Sequence, residues 1–335
     1  MVEGQITVFR VSRANVTGSW STANPRNVFD PPQTGTLRDN DGFLETADNG
    51  AAMFNGRAVT YRGSGTATFA FSGPNQSFTV GVAFFRANGV NYMVILNRPV
   101  GMTRDPGQAT IVTVSNVSGA SGAQILESPV CFTRGTLIET ENGPVPVERL
   151  AVGDMLRTLD HGFQPVRLVC HTTCDAIDLQ LRPAIRPVYI LAGALGNGLP
   201  LRDLKVSPQH RMLVSSRIAE RMFGTAEVLI PAIKLIGLPG VFIDRSVTEV
   251  EYFHVLLDDH EVIFAEGAPS ESLLTGPEAL RNVGAAARAE IRALFPRIAE
   301  AEYVPSPARP IPLGRQQKKL VERHGRNRRP VLKAG

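Results

Sequence analysis

Ser128-Pro129-Val130-Cys131-Phe132-Thr133-Arg134-Gly135-Thr136-Leu137-Ile138 marks the point at which this 335-residue chain changes character. Just upstream, Ser118-Gly119-Ala120-Ser121-Gly122-Ala123 is a small-residue stretch that reads as a flexible linker. Downstream, residues 131–274 hold every cysteine and all but one of the six histidines. A cysteine at the head of a new domain is a candidate nucleophile, because a modestly lowered pKa yields usable thiolate near neutral pH. The competing reading is a structural thiol, since free cysteine is among the most buried residue types.

Residues 1–127 read as an all-β, sandwich-like domain. Gln5 to Val11, Thr66 to Phe71, Ser77 to Phe85, Val90 to Leu96 and Thr110 to Val117 are short β-branched or aromatic runs between Gly, Pro, Asn and Asp. Asn88-Gly89 between two of them predicts a tight hairpin. Thr34 to Gly50 reads as a long loop whose acids lack the spacing of a calcium loop. This half contains no His and no Cys, so no catalytic constellation is expected there.

Residues 128–275 also read as short strands, among them Thr136 to Thr140, Met155 to Thr158, Val166 to Val169, Val188 to Leu191, Arg211 to Val214, Val228 to Ile230, Tyr252 to Leu257 and Glu261 to Ala265. Asn142-Gly143 predicts a second hairpin turn. Over 276–305 an N-cap at Thr275, Pro277, Glu278 and apolar residues at helical spacing predict an amphipathic helix ended by Pro296. From Arg309 onward nine Lys or Arg face one acid, Glu322, so residues 306–335 carry +8 of a net +4 and the rest carries −4. With no aromatics interleaved, this basic tail reads as a solvated, disordered terminus. Its competing role is contact with anionic surfaces.

His210 lies in a polar turn with Ser207 three residues earlier, and His260 lies between two strand-like runs with His254 six residues before it. A cysteine with distant histidines is the general recipe for thiol chemistry assembled by a fold. Cys170-His171-Thr172-Thr173-Cys174 lacks a fourth zinc ligand and paired Cys-x-x-Cys spacing, so no metal is expected. Asp258 and Asp259 read as solvated turn acids.

Cys131–Ile138 resembles the opening of Hint domains, the fold shared by Hedgehog autoprocessing domains and inteins. Gly143 to Asp154 is similar to that family's hairpin and its Gly-Asp stretch. Ser207-Pro208-Gln209-His210 resembles its Thr-x-x-His motif with serine in place of threonine. Tyr252 to Gly267 resembles its late strand motif, and Ala192 to Pro200 resembles the bacterial subgroup called Hint type 2. The resemblance spans about residues 129–275 and implies a Hint β-horseshoe followed by the terminal helix.

It also implies self-processing, with the chain's own N-terminal segment as substrate and no cofactor. Cys131 would attack the carbonyl of Val130, turning the Val130–Cys131 amide into a thioester. By the same resemblance His210 would protonate the Cys131 nitrogen and Ser207 would hold the peptide geometry. His260 would serve as a second acid/base or a carbonyl polariser. His254 stands where many relatives carry an acid or a thiol. Gly267 is followed by Ala268-Pro269-Ser270-Glu271-Ser272, without the His-Asn pair of splicing inteins. The expectation is cleavage without splicing, the acceptor being water or an external nucleophile. The alternatives are a catalytically silent Hint-fold module and a nucleic-acid or envelope binder acting through its tail.

Composition sets outer bounds. Hydrophobic residues at 43% and charged residues at 20% exclude wholesale disorder, and no apolar run reaches membrane-spanning length. The N-terminus lacks the pattern of a Sec signal peptide, and three cysteines (Cys131, Cys170, Cys174) make no disulfide framework. A soluble protein is expected, its compartment open.

Overall fold

The computed structural model divides the chain into two compact units. One comprises Met1–Glu127 with Ala176–Ala184, the other Ser128–Asp175 with Ile185–Gly335. The structure describes residues 2–23, 25–39, 43–72, 77–96, 106–119, 123–124, 130–274 and 306–333. The helix expected over 276–305 lies outside them, as do residues 120–122 of the linker.

In the first unit, strands ordered Gly18–Thr22, Ile111–Ser118, Arg57–Ala70, Met53–Phe54, Gln33–Asp39, Val2–Val11, Val90–Ile95 and Ser77–Ala87 form one antiparallel sheet. Ser77–Ala87 also pairs back onto Arg57–Ala70, so the sheet closes on itself. Period-two alternation covers both faces. Val80, Val82 and Phe84 join Phe9, Trp20 and Phe69 in one apolar cluster, whereas Ala83, Phe85 and Ala87 join Leu37 and Phe54 in another. The sandwich-like packing thus comes from a single curled sheet. Asn88 and Gly89 have φ of 49° and 78°, the two positive values that a tight hairpin requires.

Thr34 to Gly50 departs from the expected loop. Gln33–Asp39 is a strand paired with Val2–Val11, and it hides from pattern reading because Leu37 is its one large apolar residue. Gly35 is what admits the strand, since a Cβ there would collide with the Phe54 ring.

The second unit holds two sheets. One runs Leu168–Cys174, Val250–Leu256, Phe132–Thr133, Leu204–Val206, Val188–Ile190, Val241–Ile243. The other runs Phe163–Pro165, Met155–Arg157, Leu137–Thr140, Val262–Ala265, Ala268–Glu271, Arg211–Ser215, Glu227–Pro231, with Gly143–Pro146 paired on Leu137–Thr140. Phe132, Ile138, Leu156, Val188, Met212, Ile230, Phe253 and Ile263 share one core.

The basic terminus is ordered instead of disordered. Gly314–Arg326 is a helix that buries Gln317, Leu320, Val321 and His324 and leaves Arg315, Lys318, Lys319, Arg323 and Arg326 exposed. Leu320 and Val321 belong to the core of the second unit, and Arg309 is bound to Asp160 and Glu227 at 2.7 Å each. Four buried positions at i, i+3, i+4 and i+7 were outnumbered by charges in the composition, yet they suffice to dock the helix. No helix among the described residues is long and apolar enough to cross a membrane.

Candidate active site

Strand pairing assembles the site. Val250–Leu256 lies between Leu168–Cys174, where Cys170 stands opposite His254, and Phe132–Thr133, where Phe132 stands opposite Phe253. Side chains alternate along a strand, so Phe253 enters the core while His254 points to the other face. Cys131, one residue ahead of Phe132, falls beside His254. Its Sγ is 3.2 Å from His254 Nε2 and 3.5 Å from Nδ1.

His254 Nδ1 is also 2.8 Å from the carbonyl oxygen of Val130. A carbonyl only accepts, so Nδ1 carries the proton and donates it, which leaves the Nε2 lone pair facing the thiol. At the other end of the same amide, Cys131 N–H donates to Ser207 Oγ at 2.9 Å. Ser207 N–H returns a bond to the Cys131 carbonyl at 3.0 Å. Both ends of the Val130–Cys131 peptide bond are therefore held by side chains from distant strands and turns.

The thiol and the imidazole beside it are both buried. Cys131 is fully buried, and burial, with the nearby Cys174 and Cys170 thiols, pushes its pKa well above the ordinary thiol value. Burial lowers His254 to about 4, against the opposing pull of its hydrogen bond to Val130. Near neutral pH the thiol and this imidazole are both uncharged. Attack by sulfur must then be coupled to proton transfer, because no preformed thiolate is available.

His210 makes no hydrogen bond to the scissile amide. Its ring lies against Phe132, with centroids 4.3 Å apart, and neither ring nitrogen has a hydrogen-bond partner. The scissile N–H goes to Ser207 instead. Burial brings His210 to about 4, with the Glu271 charge pulling the other way. Both ring nitrogens of His260 are engaged away from the scissile amide. Its Nδ1 accepts from Ala308 N–H at 2.9 Å, so its Nε2 donates to Glu271 at 3.1 Å. Asp258 is committed to a two-pronged ion pair with Arg167 at 2.6 and 2.9 Å, and His161 to Glu261 at 2.8 Å.

Glu271 is the group that pattern reading passed over. It is fully buried and accepts from Arg211 N–H at 2.7 Å and from Arg211 Nη1 at 2.8 Å. Burial opposes its ionisation, but Arg211 and the His260 bond outweigh burial and hold its pKa below the ordinary value. The available signal was a lone acid inside the small and apolar run Ala268-Pro269-Ser270-Glu271-Ser272-Leu273, whose members are all buried. Among the described residues, no group of three His, Cys, Asp or Glu side chains is arranged to hold a metal ion.

No curated protein matches the chain. Among solved structures, the gp41-1 intein is similar at 11% identity, over 42% of this chain and 96% of its own, with a TM-score of 0.26. An intein-like domain from Clostridium thermocellum is similar at 13% identity, over 44% of this chain and all of its own, with a TM-score of 0.28. The MchDnaB-1 intein is similar at 14% identity, over 42% of this chain and 98% of its own, with a TM-score of 0.27. The family model described as Hint domain matches residues 130–277, the stretch along which the cysteine opening, the Ser-x-x-His turn and the late strand occur in order. Residues 130–277 of this chain are accordingly a Hint domain.

Proposed function

We propose that the Hint domain cleaves its own chain at Val130–Cys131 by an N–S acyl shift, without splicing. The Hint fold supports self-processing in general. The observation that carries the finer reading is the double grip on one amide: His254 on the Val130 oxygen and Ser207 on the Cys131 nitrogen, with the thiol beside His254.

In this mechanism the Cys131 sulfur bonds to the Val130 carbonyl carbon while its proton passes to His254 Nε2. The Nδ1–H already on the carbonyl oxygen steadies the negative charge that develops there, the task of an oxyanion-hole donor. Collapse of the tetrahedral intermediate breaks the carbon–nitrogen bond, and a proton is delivered to the departing Cys131 nitrogen. Ser207 keeps that nitrogen in place. His210, with both ring nitrogens uncommitted, is the second proton carrier once its ring turns from Phe132, and His260 acts behind it through Glu271. Water or an external nucleophile then adds to the thioester carbonyl and the carbon–sulfur bond breaks, so Val130 ends as a free carboxylate or as the nucleophile's acyl derivative and Cys131 regains its thiol. Gly267 is followed by Ala268-Pro269-Ser270-Glu271-Ser272, without the His-Asn pair whose asparagine would cyclise to complete splicing.

A second reading, a catalytically silent Hint-fold module, is favoured by the buried, weakly acidic thiol. Intact mass under denaturing conditions, followed over hours with hydroxylamine, separates the two. Self-cleavage gives fragments that end at Val130 and begin at Cys131, and none from Cys131→Ala. A wild-type chain that stays whole sinks the cleavage reading.

A further inference from the structure

The first unit is built from two pieces of chain that scission would separate. Leu168–Cys174 is a strand of the Hint sheet, yet the chain that follows it, Ala176–Ala184, belongs to the N-terminal unit. Ala176–Leu181 is a short helix whose Ile177 and Leu181, one turn apart, lie on one face. Leu181 is buried in the cluster formed by Phe9, Trp20, Phe69 and Phe84, and Ile177 packs against the same cluster. The Gln180 carbonyl accepts from Thr7 Oγ1 at 2.7 Å, which ties the segment to the first strand. A helix of six residues has no stability of its own in water, so its order comes from this packing.

We infer that scission at Val130–Cys131 nicks the protein without releasing residues 1–130. The fragment that begins at Cys131 carries Ala176–Ala184 and keeps hold of the N-terminal unit through it. The inference rests on the cleavage reading for its biological setting. Its physical content, a two-piece core, does not depend on how the chain is cut. Under this arrangement, discharge of the N-terminal domain needs a second event that withdraws the segment, and cleavage alone only makes that event possible.

The test keeps the two ideas apart. In full-length protein bearing Cys131→Ala, a recognition sequence for a specific protease is inserted between Glu127 and Ser128, beyond the last residue of the first unit's N-terminal piece, and then cut. A denaturing gel should show two fragments, while size-exclusion chromatography should show one species with the mass of the uncut chain. Leu181→Ala should leave the uncut protein folded, as read by Trp20 fluorescence, and weaken the cut complex about tenfold or more on dilution. Leu181→Asp should separate the fragments outright. Cut protein that falls apart without either substitution overturns the inference, as does a Leu181→Ala complex that survives dilution like the parent. Absence of hydroxylamine-induced fragments from the unmodified chain would bear on the cleavage reading alone.

Discussion

His254 has one imidazole and two jobs, and its surroundings decide the division. The Val130 carbonyl fixes the proton on Nδ1, which makes Nε2 a base aimed at the thiol. His254→Gln keeps a donor for the carbonyl but has no base, so self-cleavage should slow by about 10²–10⁴-fold, the usual worth of a general base. A burial-lowered imidazole also shapes the pH profile. Cleavage rate in wild type should hold nearly level through the neutral range and fall only as pH approaches His254's value of about 4. A rate rising tenfold per pH unit would instead mean that free thiolate attacks, and the base assignment would fail. Ser207→Ala leaves the buried Cys131 N–H without an acceptor, a loss of about 1–3 kcal/mol that urea unfolding reads directly. Cys131 and Ser207 were legible in their motifs. The contact of His254 with the thiol was not, because it depends on register between strands 123 residues apart in sequence. His210 shows the converse: its motif is present, but its ring packs on Phe132 and leaves the scissile nitrogen to Ser207.

Strands bounded by strong turn residues were readable from sequence, as the Ser77–Ala87 and Val90–Ile95 pair around Asn88-Gly89 illustrates. Gln33–Asp39 was not, since Leu37 is its one large apolar residue and its other buried position is a glycine that makes room for a neighbour's ring. The Gly314–Arg326 helix was masked by the reverse problem, a charge density that hid a narrow apolar stripe. Its anchoring is specific. His324 Nδ1–H donates to the Arg329 carbonyl at 3.1 Å, and its Nε2 accepts from the Ser216 hydroxyl at 3.1 Å, while Leu320 is fully buried. Leu320→Ala should therefore cost about 2–4 kcal/mol of stability, the range for a buried leucine that leaves a cavity. Lys318→Gln, on the exposed face, should change stability by less than about 0.5 kcal/mol. Equal denaturation midpoints for the two variants would mean that the helix is not docked as described.

At the scale of the whole chain, titratable groups are divided very unevenly between the units. Residues 1–127 and 176–184 contain no histidine, whereas the Hint unit buries His210 and His254, both lowered from 6.5 to about 4. Each binds a proton less readily folded than unfolded, so its contribution is complete above pH 6.5 and disappears as pH falls toward 4. A depression of this size amounts to roughly 3 kcal/mol per imidazole. Glu271, held below its ordinary value, adds a loss of the same sign at still lower pH. Acidification from pH 7.5 to 5 should thus weaken the Hint unit while the N-terminal unit stays nearly unchanged. Trp20, the one tryptophan, is buried in the N-terminal unit and reports its unfolding by fluorescence, whereas calorimetry sees both units. Across that pH range the Trp20 transition should keep its midpoint while a second calorimetric transition moves to lower temperature. His210→Gln combined with His254→Gln should flatten that movement. Parallel shifts in both transitions, or none in either, would contradict the burial of two neutral imidazoles around the scissile bond.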